Sequence, residues 1–217
     1  METTIGRRLP CPTYDDHHIH GKLFRMNAVG TKRDRTHRRI VEAASRGVRR
    51  AGFRGIGVAE VMKEVGLTHG GFYAHFDSRN ALLSEALVHA SEDIGSVIRE
   101  NVDALVELGH TRFSAFVSTY LSDAQICGQE NGCPVAALCS EMPQQSGEVA
   151  LASRTVIGNL HRLVSDALPG HSRQSAWTVA GALIGAMQLA RSLGNADEGR
   201  AVLAAARADL VAHYDTQ

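Results

Sequence analysis

The chain has 217 residues, 44% of them hydrophobic and 21% charged, with no net charge at pH 7. This composition excludes wholesale disorder and leaves room for one large or two small domains. No stretch approaches the ~18 apolar residues of a membrane helix. Residues 1–25 also lack the apolar centre of a signal peptide, so a cytoplasmic protein with no membrane partner is expected. Cys11, Cys127, Cys133 and Cys139 include no CxxC pair, and in that compartment they are expected to be free thiols.

The neutral total hides an asymmetry. Residues 1–79 carry 15 Lys and Arg against 8 Asp and Glu, a balance of +7, and residues 80–217 carry the mirror −7. Nine basic residues (Lys32, Arg33, Arg35, Arg38, Arg39, Arg46, Arg49, Arg50 and Arg54) fall between Thr31 and Gly55, against Asp34 and Glu42. A basic end joined to an acidic body suggests that only this end meets a polyanion. A solvated basic helix face is the plainer alternative.

Residues 1–30 mix Pro10, Pro12, Gly21 and Gly30 with the polar run Tyr14 to His20 and show little periodicity, so a flexible arm is expected, with Met26 an alternative start. His17, His18 and His20 lack a fourth ligand at structural spacing, and no metal site is expected there. From Arg35 the pattern turns helical: Ile40, Val41, Ala44, Val48 and Ala51 form one face, arginines stand opposite, and Gly52 closes the helix. A short helix over 58–65 follows, with Val61, Met62 and Val65 inward, and Gly66 ends it. Thr68 is a good N-cap, and Phe72 and Phe76 at i,i+4 give the next short helix its buried side. Ser78 caps a helix from Arg79 to about Arg99. Further helices are expected near 101–108, 110–127, 134–142, 147–168, 172–193 and 197–214, and no segment has a trustworthy strand period. The fold class is therefore all-α: a three-helix unit over 31–80, then a helical bundle over 81–217.

Two short helices joined by a turn containing Gly66 fit a helix-turn-helix, whose second helix enters the major groove of DNA. Gly70 and Gly71 each cost about 1 kcal/mol of helix propensity against alanine, but they leave no side chains where a helix start must approach phosphates or base edges. Thr68 at the helix N-terminus can donate to a phosphate. Tyr73 and His75 point outward and can do the same, which leaves His69, Gly70 and Gly71 nearest the bases. A small helical hairpin with surface histidines is the alternative that spacing alone leaves open.

Residues 35–87 resemble the DNA-binding domain of the tetracycline-repressor (TetR) family. The resemblance rests on Gly66, Thr68, Gly70, Phe72, Tyr73, His75, Phe76, Ser78 and Arg79, which stand where the family's G-x-[ST]-x-G-x-[LFI]-Y-x-[HY]-F-x-[SN]-[KR] ending has them. It implies that Thr68, Tyr73, His75 and Arg79 contact phosphates and that His69 and Gly71 face bases; Arg54 joins the candidate DNA contacts. Gly57 stands where the family commonly has a Thr or Ser cap, Gly71 where it often has Thr, Ser or Ala, and Asn80 where it has an acid.

The resemblance implies that the body dimerises and encloses a small-molecule cavity. Trp177 to Leu193 is nearly apolar all round, with Gly181, Ala182, Gly185 and Ala186 allowing close helix approach, and Ala201, Val202, Ala205, Ala208, Leu210 and Val211 mark a face on the last helix. Sequence leaves a dimer surface and an internal core equally open; the family favours a homodimer through 172–193 and 197–214, suited to a palindromic double-stranded operator. Phe113, Phe116, Val117, Tyr120, Leu138, Met142, Ile157, His161, Trp177 and Met187 are candidates to line a pocket for a small apolar or amphipathic effector, with plain core packing as the alternative. The run GCPVAAL from Gly132 resembles the start of the sixth helix in the LmrA and YxaF subgroup. Cys133, just before that helix, is the candidate thiol sensor, with Cys127 as a resolving partner.

No phosphate loop, dinucleotide fingerprint, GxSxG elbow or HExxH pair occurs, so neither an enzyme nor a cofactor is expected. The expected function is that of a homodimeric repressor released from DNA by an effector. The alternatives are a thiol-switch repressor, a sequence-indifferent architectural binder, and a binding protein or enzyme with a vestigial helix-turn-helix.

Overall fold

The computed structural model describes residues 31–168, 170, 173–194 and 197–215. The expected arm over 1–30 lies outside the described residues, as does the side chain of Cys127. Nine α-helices follow one another among the described residues: α1 Lys32–Gly55, α2 Val58–Glu64, α3 Arg79–Glu107, α4 Arg112–Tyr120, α5 Ala124–Cys127, α6 Pro134–Leu138, α7 Gly147–Ala167, α8 Arg173–Leu193 and α9 Asp197–Tyr214. A 3₁₀ segment, His69–Ala74, stands between α2 and α3. The described chain contains no strand, and none of its helices is long and apolar enough to cross a membrane.

A reciprocal capping box starts α1: Thr31 N donates to Asp34 Oδ2 at 2.8 Å, and Asp34 N donates to Thr31 Oγ1 at 3.2 Å. Ile40, Val41, Ala44 and Val48 are buried, as their spacing predicts. The regular helix stops at Gly52, where φ 77° and ψ 174° put the backbone in a region essentially closed to residues with a Cβ. A Cβ at this position would stand 2.4 Å from Glu141 Oε1. The turn lets Phe53 N donate to Glu141 Oε2 at 3.0 Å, which joins the end of α1 to the body.

Three predicted boundaries move. Separate helices over 79–99 and 101–108 are in fact one, α3, because nothing at 100–101 breaks the pattern and Ile94, Ile98 and Val102 continue one buried face. α3 packs against both α1 and α7, so it runs through the expected 80/81 domain boundary. The expected helix over 110–127 stops at Tyr120. Leu121 is fully buried, and its carbonyl, no longer held within the helix, accepts from Arg207 of α9. The expected helix over 134–142 ends at Leu138, and the turn after it brings Glu141 to Phe53. One hydrophobic cluster extends from Ile40 to Leu210 through all of these elements.

These contacts set the effect of two glycine substitutions. Gly52→Ala should lower the stability to chemical denaturation by about 1–3 kcal/mol, through the forbidden backbone region and the clash with Glu141. Gly57, the uncapped start of α2 with φ −100° and open space at its Cβ, should accept serine with a gain of a few tenths of a kcal/mol. Equal, small effects at the two positions would show that Gly52 is not the strained joint described here.

Candidate functional site

The helix-turn-helix begins at the end of α2. Gly66 adopts φ 75°, and two bonds close the helix end: Gly66 N to Lys63 O at 3.0 Å and Leu67 N to Met62 O at 2.8 Å. This is the Schellman arrangement for which glycine is suited. Thr68 follows in extended conformation, exposed, with no capping bond from its side chain. The expected short α-helix after it is a tighter 3₁₀ segment, opened by Gly71 N donating to Thr68 O at 3.0 Å. Two adjacent glycines favour this outcome by withholding helix propensity where only i→i+3 closure is needed.

Phe72 and Phe76 anchor the segment, both buried and stacked at 5.5 Å, with the His37 ring 4.4 Å from Phe76. Their burial turns Thr68, His69, Gly70 and Tyr73 to solvent, with Tyr73 69% exposed. A Cβ at Gly70 would meet nothing within 4 Å, whereas one at Gly71 would lie 3.7 Å from Met62 Cε. Gly70 is thus the open position, and Gly71 is half turned to the core. His75 is also half-buried, and its Nδ1 is enclosed without a partner. Desolvation, reinforced by the charges of His37 and Arg33, holds its pKa below the ordinary imidazole value, so the ring is neutral at pH 7.

Arg79 differs from its expected role as a phosphate contact. Its guanidinium donates to the carbonyls of Phe53 and, at 3.1 Å, Ile56. It therefore fastens the start of α3 to the α1–α2 link, beside exposed Arg54. Much of the basic run is similarly engaged. Arg39 donates to Val65 O at 3.0 Å, Arg46 pairs with Glu64 at 2.8 Å, and Arg50 pairs with Glu130 at 3.1 Å. Arg49 is buried. At the other end of α1, Arg33 donates to Ala74 O at 2.7 Å, and Lys32, Arg33, Thr36, Ala74 and His75 line an open groove beside the 3₁₀ segment. Lys32, Arg33 and Thr36 were not singled out by the motif, although the basic count over 31–55 contains the signal for the first two.

The predicted effector residues do not come together around a chamber. Phe113, Phe116, Val117, Tyr120, Leu138, Met142, His161 and Met187 are buried, and Ile157 is half-buried against the core. Trp177 is 48% exposed, its ring 4.1 Å from that of His161, and so lies on the surface rather than lining an interior. Two of the predicted residues, Tyr120 and Met187, meet at a small internal cavity with Ile94, Ile98, Gln125, Cys133 and Arg191, and it measures about 10 Å³. That is the space of one water, far below the roughly 300–1,000 Å³ of ligand pockets. Close packing of the long apolar side chains fills the remainder. Two polar atoms at this cavity, Tyr120 Oη and Arg191 Nη1, have no hydrogen-bond partner. Burial raises the Tyr120 pKa well above the ordinary phenol value and lowers that of Arg191.

α8 resolves the two readings of its sequence by having two faces. Val179, Ala180, Leu183, Ala186, Met187 and Ala190 are buried, while Trp177, Gly181, Gly185, Leu189 and Leu193 lie exposed along the other side. On α9, Leu203 and Leu210 are buried and Ala201, Ala205 and Ala208 are exposed.

Residues 40–86 match the family model described as bacterial regulatory proteins, tetR family. No curated protein matches the chain. Among solved structures, a TetR transcriptional regulator from Chloroflexus aurantiacus is similar with a TM-score of 0.66 at 22% identity, over 86% of this chain and 97% of the other. The reduced form of Escherichia coli NemR gives 0.65 at 20% identity, over 81% and 95%. FadR from Bacillus subtilis, in complex with stearoyl-CoA, gives 0.60 at 14% identity, over 81% and 97%. These likenesses establish a shared fold, and the match over 40–86 falls on the helix-turn-helix itself. The chain thus carries, over residues 40–86, a region that matches the DNA-binding domain of bacterial regulatory proteins of the tetR family, and behind it a helical body that shares the fold of these regulators.

Proposed function

We propose that the protein is a homodimeric repressor that binds a palindromic operator and leaves it when the helical body takes up an effector. The observation that carries the DNA-binding part is the 3₁₀ segment, which rests on Phe72 and Phe76 and presents Thr68, His69, Gly70 and Tyr73 to solvent beside the Lys32–Arg33 groove. Thr68 and Tyr73 hydroxyls, with Lys32 and Arg33, are placed to hold phosphates; His69 and the open backbone at Gly70 face the bases. So few reading side chains leave part of the specificity to DNA shape. Arg79 acts indirectly in this reading, by holding the start of α3 against the α1–α2 link.

The exposed stripe Trp177, Gly181, Gly185, Leu189 and Leu193, with the small residues of α9, supports a two-helix surface that pairs with its own copy. The closed interior supports an effector site that forms by opening of α4, α7 and α8, the elements that contribute most of its buried aromatic and methionine side chains. FadR from B. subtilis, seen with stearoyl-CoA, is a protein of this fold bound to a ligand that carries a long apolar acyl chain. Release then requires that the effector prefer the open form, by about 1–3 kcal/mol in typical allosteric systems.

Fluorescence anisotropy on DNA upstream of the protein's own gene, beside a scrambled duplex at several salt concentrations, tests the DNA reading. Tight, sequence-preferring binding that weakens steeply with salt is expected. Lys32→Ala should lower the salt slope by about 1 and weaken both duplexes alike, whereas Tyr73→Phe should cost roughly fivefold in affinity. Equal affinity for both duplexes would replace a regulator of this operator by an architectural binder. Sedimentation tests the dimer: Leu189→Arg, a change at an exposed position, should yield a folded monomer with weakened operator binding. A monomeric wild-type protein would overturn the dimer.

A further inference from the structure

The segment joining α5 to α6 combines features that neither packing nor DNA binding uses. Cys133 is a free, buried thiol on the wall of the internal cavity. Facing the same space are Tyr120 Oη, on a side chain 3% exposed and beside the Cys133 thiol, and Arg191 Nη1, both enclosed and without a nitrogen or oxygen partner. Arg191 spends its other nitrogens on Gln125 O, at 3.2 and 3.1 Å. An N–H donor, an O–H donor and a sulfur thus converge on a space of about 10 Å³. Such a site suits a molecule of one or two heavy atoms that accepts hydrogen bonds through oxygen. It is far too small for an apolar effector.

We propose that this cavity admits hydrogen peroxide and that Cys133 is its oxidation site. The inference rests on the regulator reading only for its consequence on DNA. In the reaction the Cys133 sulfur attacks one peroxide oxygen, an S–O bond forms and the O–O bond breaks. Sulfur is oxidised by two electrons to a sulfenic acid, and the peroxide is reduced, leaving as water with the thiol's proton. Arg191 Nη1 and Tyr120 Oη donate to the leaving oxygen, where negative charge develops, in a site that excludes bulk water.

The neighbouring backbone carries the change to α1. Gly132 is packed so closely that a Cβ there would stand 2.6 Å from Arg191 Nη2 and 2.8 Å from Gln125 Oε1. Its carbonyl accepts from Arg49 Nη1, on α1, at 3.0 Å. An oxygen added to Cys133 fills the remaining space and displaces Gly132, and with it the seat of Arg49.

The test uses the reduced full-length protein, hydrogen peroxide as oxidant and dimedone as the sulfenic-acid trap, with peptide mapping by mass spectrometry. A dimedone adduct on the Cys133 peptide is expected in the wild type and none there in Cys133→Ser. Tyr120→Phe removes a hydroxyl whose neighbour is the Cys133 thiol and which has no nitrogen or oxygen partner, so it should fold with a nearly unchanged thermal midpoint and label roughly tenfold more slowly. Labelling confined to other cysteines, labelling only after unfolding, or an unchanged rate in Tyr120→Phe would overturn the site. A second arm measures operator anisotropy before peroxide, after it and after a thiol reductant. Reversible weakening in the wild type, absent in Cys133→Ser, is expected, and a labelled protein with unchanged DNA affinity would overturn the relay to α1. If untreated protein binds no operator, the regulator reading fails while the labelling result stands. If it binds operator but Cys133 takes no label, the oxidation site alone fails.

Discussion

The buried guanidinium of Arg49 is the interaction on which the arrangement of the two parts depends. It is 2% exposed and donates to Ser45 O at 3.1 Å, Ser45 Oγ at 3.0 Å and Gly132 O at 3.0 Å. Burial lowers its pKa to about 10, so it remains a cation at neutral pH inside the protein. A buried charge is tolerable only when its donors are satisfied. Here one of them is satisfied by a carbonyl of the body, so α1 cannot leave the 128–133 segment without stranding the charge. Arg50 with Glu130, and Glu141 with the Phe53 amide, flank the same seam. The DNA-binding helices and the body are therefore joined through polar contacts of specific direction as well as through a continuous apolar core.

This seam changes how the basic N-terminal run is understood. Its positive charge is divided between two tasks. Arg39, Arg46, Arg49 and Arg50 hold α1 to α2 and to the loop before Cys133, while Lys32 and Arg33 frame the groove at the start of α1. The surface that presents the 3₁₀ segment is small and is positioned from behind: by the stacked Phe72–Phe76 pair, by His37 against Phe76, and by Arg79 on the α1–α2 link. The Arg79 bonds go to backbone carbonyls and the others are ring contacts, so they fix where the chain runs without using the exposed Thr68, His69 and Tyr73.

The body shows a corresponding division. α3 packs against both α1 and α7, which makes it a rigid element shared by the two parts. A small space at Tyr120, Cys133 and Arg191 lies within the bundle, while the outer face of α8 exposes Trp177, Leu189 and Leu193 beside glycines and that of α9 exposes alanines. The twofold pairing proposed for these faces would set the separation of the two 3₁₀ segments.

The helix-turn-helix was legible from sequence because its determinants are local. Gly66 ends α2, Phe72 and Phe76 at i,i+4 define the inward side, Ser78 caps α3, and each acts within a few residues of the chain. The all-α class followed equally from apolar periodicity. What sequence could not show depends on distant partners. Arg79 has a donor geometry that suits a phosphate, and only the position of Phe53 and Ile56, more than twenty residues earlier, turns it inward. The effector candidates were chosen by residue type, but whether Phe116 or Met187 lines a chamber or fills a core depends on how closely the helices approach, and Trp177 proved to face solvent. Sequence alone determined the fold class and which residues of the 3₁₀ segment face solvent, since these rest on short-range propensity and burial. Tertiary structure decided which charges remain available, where the cavity lies and that Cys133 borders it with Tyr120 and Arg191, since those follow from contacts between elements far apart in the chain.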